Sequence, residues 1–312
     1  MLPYVAYLFV FQNLAYHTVK TYVAGLQYYL FTNDLSTSIW TPQLHQSLKG
    51  FLLRESREKP LSERTKLPVT LSMIFWARDN IIAKSPSPFV RSALLASLSV
   101  GFMFLFRKSE YLTERNRRPK ISYGMVSTLT AEYTHFWFGD VPFSADSKNF
   151  PERLLPSMIS MYLPLSKGDP LGKGATRFFP ADWSNPDCLV RIAYIYISQA
   201  CLNPKDCLFA GPRIVVTMAM VADMIKLIAI GNGLPQHRLS PHSLRVGGLV
   251  TLMAADVPDN LKQLAGRWAN PKSFLAYTRA TMQQFKTISS SLNDKSLVTA
   301  DEVKRFYVNT PK

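Results

Sequence analysis

The sequence predicts a mainly α-helical protein with a small antiparallel β-sheet (α+β), arranged as two domains. Three observations predict it. Residues 1–66 place apolar side chains at helical spacing. Residues 121–180 change character, with β-branched and aromatic residues set among many turn formers. Between the first region and the rest lies a polar stretch, Arg54 to Lys66 (RESREKPLSERTK), with eight charges in thirteen residues, a central proline and no apolar period. It reads as an interdomain linker.

The elements follow in order. Met1 to Val10 is apolar but lacks a basic leader, and Gln12 and Asn13 end it, so it makes a poor signal peptide. Thr18 to Phe31 carries Val19, Tyr22, Val23, Leu26, Tyr29 and Leu30 on helical spacing, and Asn33-Asp34 stops the helix. Thr41-Pro42 starts another, running to about Leu53 with Leu44, Leu48, Phe51 and Leu52 on one face. Beyond the linker, Thr70 to Ile82 and Phe89 to Phe106 read as helices. The uncharged run Ala93 to Phe106 falls short of the roughly 20 residues that span a bilayer, so it predicts a buried helix. Met125 to Thr134, Ser157 to Leu165 and Ala175 to Phe179 are the candidate strands, and Ser166 to Gly174 (SKGDPLGKG) joins the last two as a hairpin. From Pro186 the chain turns helical again. Ile214 to Ile230, broken by Asp223 and Lys226, is an amphipathic or core helix, and a last helix is expected around Thr299 to Tyr307.

Composition narrows the function. With 47% hydrophobic and 12% aromatic residues the chain can bury a core, which argues against disorder. Its 312 residues and three cysteines exclude a small stapled secreted module. Cys188, Cys201 and Cys207 are odd in number and lack C-x-x-C spacing; they read as small buried apolar residues in a reducing compartment. Lys and Arg number 36 against 21 Asp and Glu, a net charge of +15. Such a balance calls for a polyanion, nucleic acid or an acidic membrane face. With no segment reading as a membrane anchor, nucleic acid is the better partner. Residues 1–66 hold seven Lys/Arg and four Asp/Glu (+3), and residues 67–312 hold the other +12.

Four segments could carry chemistry. Ser240-Pro241 is a helix start, with Ser as cap and Pro in the first turn. His242 and Arg245 then share one face of that turn, where free N–H groups and the helix dipole favour an anion such as phosphate. A solvated helix start, with Gly247 and Gly248 allowing close packing, is the alternative. Gly266-Arg267-Trp268 is followed by Tyr277, in the second turn of a helix that Ser273 can cap; the pair offers an indole and a phenol donor, or merely core. Arg107 directly follows a long apolar helix and needs either a function or a buried partner. Lys108, Arg115, Arg117, Arg118 and Lys120 extend a basic face. Lys167 and Lys173 lie in the hairpin loop, where lysines are usually just exposed.

Taken together, the order and spacing are specific. Arg107 within LFRKSE, Lys167 within SKGD, His242-x-x-Arg245, Gly266-Arg267-Trp268 and Tyr277 nine residues on resemble the tyrosine recombinase (phage integrase-like) family. The wording HSLRVGG, GRW and SFLAYTR is closest to the eukaryotic recombinases of Crypton and DIRS-type mobile elements. The likeness covers nearly the whole chain, and it places the start of the chain inside the first helix of the family's core-binding domain. It implies that residues 1–66 form a helical core-binding (SAM-like) domain and 67–312 the catalytic domain, together a C-shaped clamp on duplex DNA. It further implies that Tyr277 attacks the scissile phosphate, Arg107 and Arg245 hold the non-bridging oxygens, and Lys167 is the general acid. His242 then assists proton transfer, Trp268 stands where many relatives carry His, and Glu110 supports the first arginine. No cofactor and no metal is implied, and the partners are double-stranded DNA and a tetramer of like subunits. The location would be the nucleus in a eukaryote and otherwise the cytoplasm.

Chemistry agrees with those roles. Phosphoryl transfer needs charge stabilisation and in-line placement, and a planar guanidinium offers a fork to phosphate oxygens. A phenol with a pKa near 10 is a weak nucleophile at pH 7 and needs a proton acceptor beside it. Because a covalent intermediate conserves the phosphodiester energy, no ATP motif is required, and no G-x-x-x-x-G-K-[ST] is present. A catalytically inactive domesticated DNA-binding protein and a topoisomerase IB-like nicking enzyme are the competing readings. The first of these would have no use for Tyr277.

Overall fold

The computed structural model describes residues 1–35, 38–58, 66–114, 121–122, 125–148, 150–151, 154–165, 169, 172–255, 257–267, 282–294 and 298–304. The chain forms two compact units, Met1–Thr65 and Lys66–Lys312.

Among its described residues the first unit holds the helices α1 (Leu2–Val10), α2 (Tyr16–Thr32) and α3 (Pro42–Glu58). Proline opens α1, and Asp34, with φ +56, follows the end of α2. Thr41 Oγ1 accepts from Leu44 N–H at the start of α3, ahead of Pro42. The core is small: Val5, Leu8, Val19, Val23, Leu44 and Leu48 are buried, and Phe9 stacks on Phe51. Instead of stopping near Leu53, α3 runs to Glu58, into the stretch expected to be linker. The first residue that forbids a helix there is Pro60, so the charged segment before it stays helical.

The second unit is built around one buried helix. After α4 (Leu71–Asn80), capped by Thr70, and a 3₁₀ turn at Ile82–Lys84, Ser87 and Pro88 start α5 (Pro88–Met103). From Ala96 to Met103 every residue of α5 is buried, so it is the centre of the unit. It packs against α7 (Leu189–Ile197), α8 (Met218–Gly231) and α9 (His242–Ala254). The chain leaves α5 earlier than the apolar run suggested. Leu105 takes a left-handed conformation (φ +51), and Phe106 N–H bonds back to Gly101 C=O at 3.3 Å. This is a Schellman ending with leucine where glycine is usual, at a cost of about 1 kcal/mol. Full burial of the Leu105 side chain offsets it. The short helix α6 (Lys108–Tyr111) follows at once.

The sheet is four-stranded and antiparallel in the order β4-β3-β5-β6: β3 (Thr134–Phe138), β4 (Val141–Ser144), β5 (Met158–Leu163) and β6 (Ala175–Pro180). Phe136 faces Ile159, which faces Phe179, and all three are buried. β5 and β6 form the expected hairpin. Its loop is drawn in by the Asp169 carboxylate, which accepts from Gly174 N–H at 2.7 Å, and by left-handed Gly172 and Gly174. The strand expected at 125–134 is corrected. Within it lie β2 (Met125–Val126), paired with β1 (Ile121–Ser122), and at its far end Thr134, the first residue of β3. Residues 129–132 instead bond their backbones to the loop 204–208, and Ala131–Tyr133 makes a 3₁₀ turn.

The described residues also include the helices α10 (Asp259–Gly266), α11 (Met282–Asn293) and α12 (Ala300–Val303), the last with a capping box between Thr299 and Glu302. Cys188 and Cys207 are buried, and burial pushes the Cys207 thiol up to about 12. Cys201 is exposed, contrary to expectation: it lies just past the turn that ends α7, at φ +51. Among the described residues no helix is long and apolar enough to cross a membrane.

Candidate functional site

Three turns of backbone meet at one place: the end of α5, the start of α9 and the end of α10. Two glycines allow it. A side chain on Gly247 would collide with the Val69 carbonyl, and one on Gly248 with Phe102 C=O and Leu105. The segment 67–69 runs alongside, with Leu67 N–H on Arg238 C=O and Val69 N–H on Ser243 C=O, both at 2.9 Å. At the start of α9 the cap is not the expected one. Ser243 Oγ accepts from Ser240 N–H at 3.1 Å, so the second serine supplies the side-chain bond.

Arg245 is buried between two helix ends. Its Nη1 donates to Leu105 C=O at 2.9 Å and its Nη2 to Gly266 C=O at 2.5 Å. Both carbonyls end helices, where the dipole is negative, so the sites suit a cation. Arg107 lies two residues beyond Leu105 and caps α6. Its side chain is 28% exposed, and its Nη1 donates to Glu110 Oε1 at 2.8 Å while its main-chain N–H donates to Oε2 at 2.7 Å. Arg107 is thus a partnered, partly open cation and does not point into apolar core.

Glu110 closes a ring. Its Oε2 also accepts from Arg267 Nη2 at 2.5 Å, and Arg267 directly follows Gly266, whose carbonyl holds Arg245. Arg267 is buried in a left-handed conformation (φ +53), with its guanidinium 4.9 Å over the Phe106 ring. Burial alone would raise the Glu110 carboxyl. The Arg267 guanidinium, the Arg107 N–H and the Arg107 guanidinium outweigh it and hold the group below the usual carboxylate range.

His242 opens α9 and stands at the exposed edge of this cluster. Its pKa is lowered, first by burial and then by the charges of Arg245, Arg107 and Lys66. That shared field places the three cations close to one imidazole, which is neutral at pH 7 and able to take up a proton. Lys66 is held by a bond from Nζ to His237 C=O at 2.9 Å. Arg107 and Arg267 share the Glu110 carboxylate, so these three side chains carry excess positive charge with one partly open arginine, and Arg245 stands beside them on two carbonyls. Such a group attracts an oxyanion.

Of the six residues expected to form the site, the structure brings Arg107, His242 and Arg245 together. Lys167, Trp268 and Tyr277 lie outside the described residues, as does the helix expected to carry Tyr277. Lys173 is exposed in the hairpin loop. Arg267 was given no role by sequence reasoning; its only signal was its place between Gly266 and Trp268. Among the described residues no cluster of three His, Cys, Asp or Glu is placed to hold a metal ion. A separate cavity of about 430 Å³ is lined by Asp182, Asp187 and Asp294 with Asn185 and Asn293. Its carboxylates repel a polyanion, and it contains none of the cluster residues.

No protein-family model matches this chain, and none of the curated proteins matches it.

Proposed function

We propose that the chain is a tyrosine-type DNA recombinase, encoded by a mobile element, that breaks and rejoins DNA strands through a 3′-phosphotyrosyl intermediate. The observation that carries this reading is the closed ring of Arg107, Glu110, Arg267, Gly266, Arg245 and Leu105, with a neutral His242 at its edge. Arg107 comes together with His242 and Arg245, more than 130 residues on, and that juxtaposition supports the reading.

In this reading Arg107 and Arg245 take the non-bridging oxygens of one phosphate and stabilise charge that builds on them. The Tyr277 phenol oxygen forms a bond to phosphorus, the bond to the 5′ oxygen breaks, and Lys167 gives that oxygen a proton. His242 takes up the phenol proton, which its lowered pKa permits at pH 7. Trp268 donates one hydrogen bond from its indole N–H. Residues 1–66 grip the duplex as the core-binding domain, four subunits assemble on the DNA, and in a eukaryotic host the site of action is the nucleus.

The test uses a nicked suicide DNA substrate and denaturing gels. Wild type should yield a covalent protein–DNA adduct that Tyr277→Phe abolishes. No adduct, or an equal adduct from Tyr277→Phe, defeats the reading for that substrate.

A further inference from the structure

We propose that Arg267 is a positioning residue that keeps Arg107 available to an oxyanion by neutralising Glu110. The inference rests on the recombinase reading only for the identity of the oxyanion, a DNA phosphodiester.

Glu110 and Arg107 alone would form a neutral pair. The carboxylate takes both the Nη1 and the main-chain N–H of Arg107, and its own side chain is only 4% exposed. A carboxylate that close competes with any incoming anion for the guanidinium and repels it. Arg267 changes the balance. It is buried too, it donates to Glu110 Oε2 at 2.5 Å, and it leaves the trio of two arginines and one carboxylate with a net positive charge. The 28% exposed Arg107 is where that charge meets an anion.

The geometry looks built for the purpose. Arg267 adopts a left-handed backbone that a non-glycine residue reaches only at a cost. Its guanidinium lies over Phe106, the residue just before Arg107, so one side chain fixes both the carboxylate and the backbone that carries the arginine. Among the described residues its Nε and Nη1 find no acceptor, so Glu110 is the anion it serves. Burying that charge against an aromatic face needs a reason beyond packing, for which an uncharged side chain would do.

The experiment compares wild type, Arg267→Lys, Arg267→Met and the double variant Glu110→Gln/Arg267→Met. Two readouts are taken: the rate of adduct formation on the suicide substrate, and the rise in Tm with inorganic phosphate at constant ionic strength. Arg267→Met should slow adduct formation about 100-fold, the scale of losing one oxyanion donor, with DNA affinity within about threefold of wild type. Arg267→Lys keeps the charge and should keep most of the rate. The double variant should recover at least about tenfold over Arg267→Met, because removing the carboxylate charge frees Arg107 again. A merely structural role predicts no such recovery. A double variant no faster than Arg267→Met, or an Arg267→Met enzyme as fast as wild type, overturns the inference.

If wild type forms no adduct, the recombinase reading fails and phosphate decides this inference by itself. A phosphate-dependent Tm rise that Arg267→Met loses and the double variant regains upholds it. The same response, or none, in all four proteins overturns it.

Discussion

Glu110 sits between two guanidiniums and is almost fully buried, so its charge is the most consequential in the second unit. Its folded pKa is depressed by Arg267 and Arg107 in spite of burial. A depressed carboxyl adds stability above its unfolded value, about 4.3, and that stability is lost as pH falls through the folded value. Wild type should therefore lose Tm as pH drops below about 4, while Glu110→Gln should be less stable at pH 7 and flatter over the acid range. Removing one partner of a buried pair costs about 3–5 kcal/mol. Thermal melts from pH 3 to 7 check this, and parallel curves would contradict it. At this scale the site was half legible. Arg107, His242 and Arg245 stood out because each sits in a local context that exposes it, after an apolar helix or at a helix start. Arg267 did not, because its partner Glu110 lies 157 residues away and no local pattern reports such a pairing.

Helices were read more faithfully than strands, for a physical reason. A helix satisfies its backbone locally, so the helices expected from Thr70 and from Phe89 begin within one residue of those positions, at Leu71 and Pro88. A strand depends on what lies beside it. Residues 129–132 have strand composition but bond to the loop 204–208, while β4 escaped notice although Gly139-Asp140 makes a two-residue hairpin turn with φ +62 at the glycine. The end of α5 was misplaced for the opposite reason: a buried leucine was put where a glycine stop is expected. Close helix packing at the site depends on Gly247. Gly247→Ala drives a methyl into the Val69 carbonyl and should cost about 1–3 kcal/mol, with a loss of the site's arginine geometry. Gly50→Ala, in the exposed part of α3 with open space around it, should instead gain about 0.5–1 kcal/mol. Urea melts distinguish the two, and equal effects would refute the close-approach account.

Across the whole molecule, a charge of +15 is more than one phosphate site needs. Arg107, Arg245 and Arg267 are drawn into the ring, and the proposed function assigns many of the remaining cations to the duplex backbone, where contacts position a protein without reading sequence. Affinity for DNA should then fall steeply with salt: six neutralised phosphates give a log–log slope of about −5. Filter binding or fluorescence anisotropy between 50 and 200 mM salt would reveal it, and a nearly flat dependence would refute backbone-dominated binding. The two compact units divide between Thr65 and Lys66, near the end of the charged stretch 54–66, where composition changes even though α3 runs into that stretch as far as Glu58. The proposed function rests on one chemical act. The most direct measurement is to trap the adduct on a suicide DNA substrate, digest it with nuclease and protease, and find the modified peptide by mass spectrometry. The account predicts a nucleotide joined through its 3′-phosphate to Tyr277. Attachment through a 5′-phosphate, attachment to another residue, or no adduct at all would contradict it.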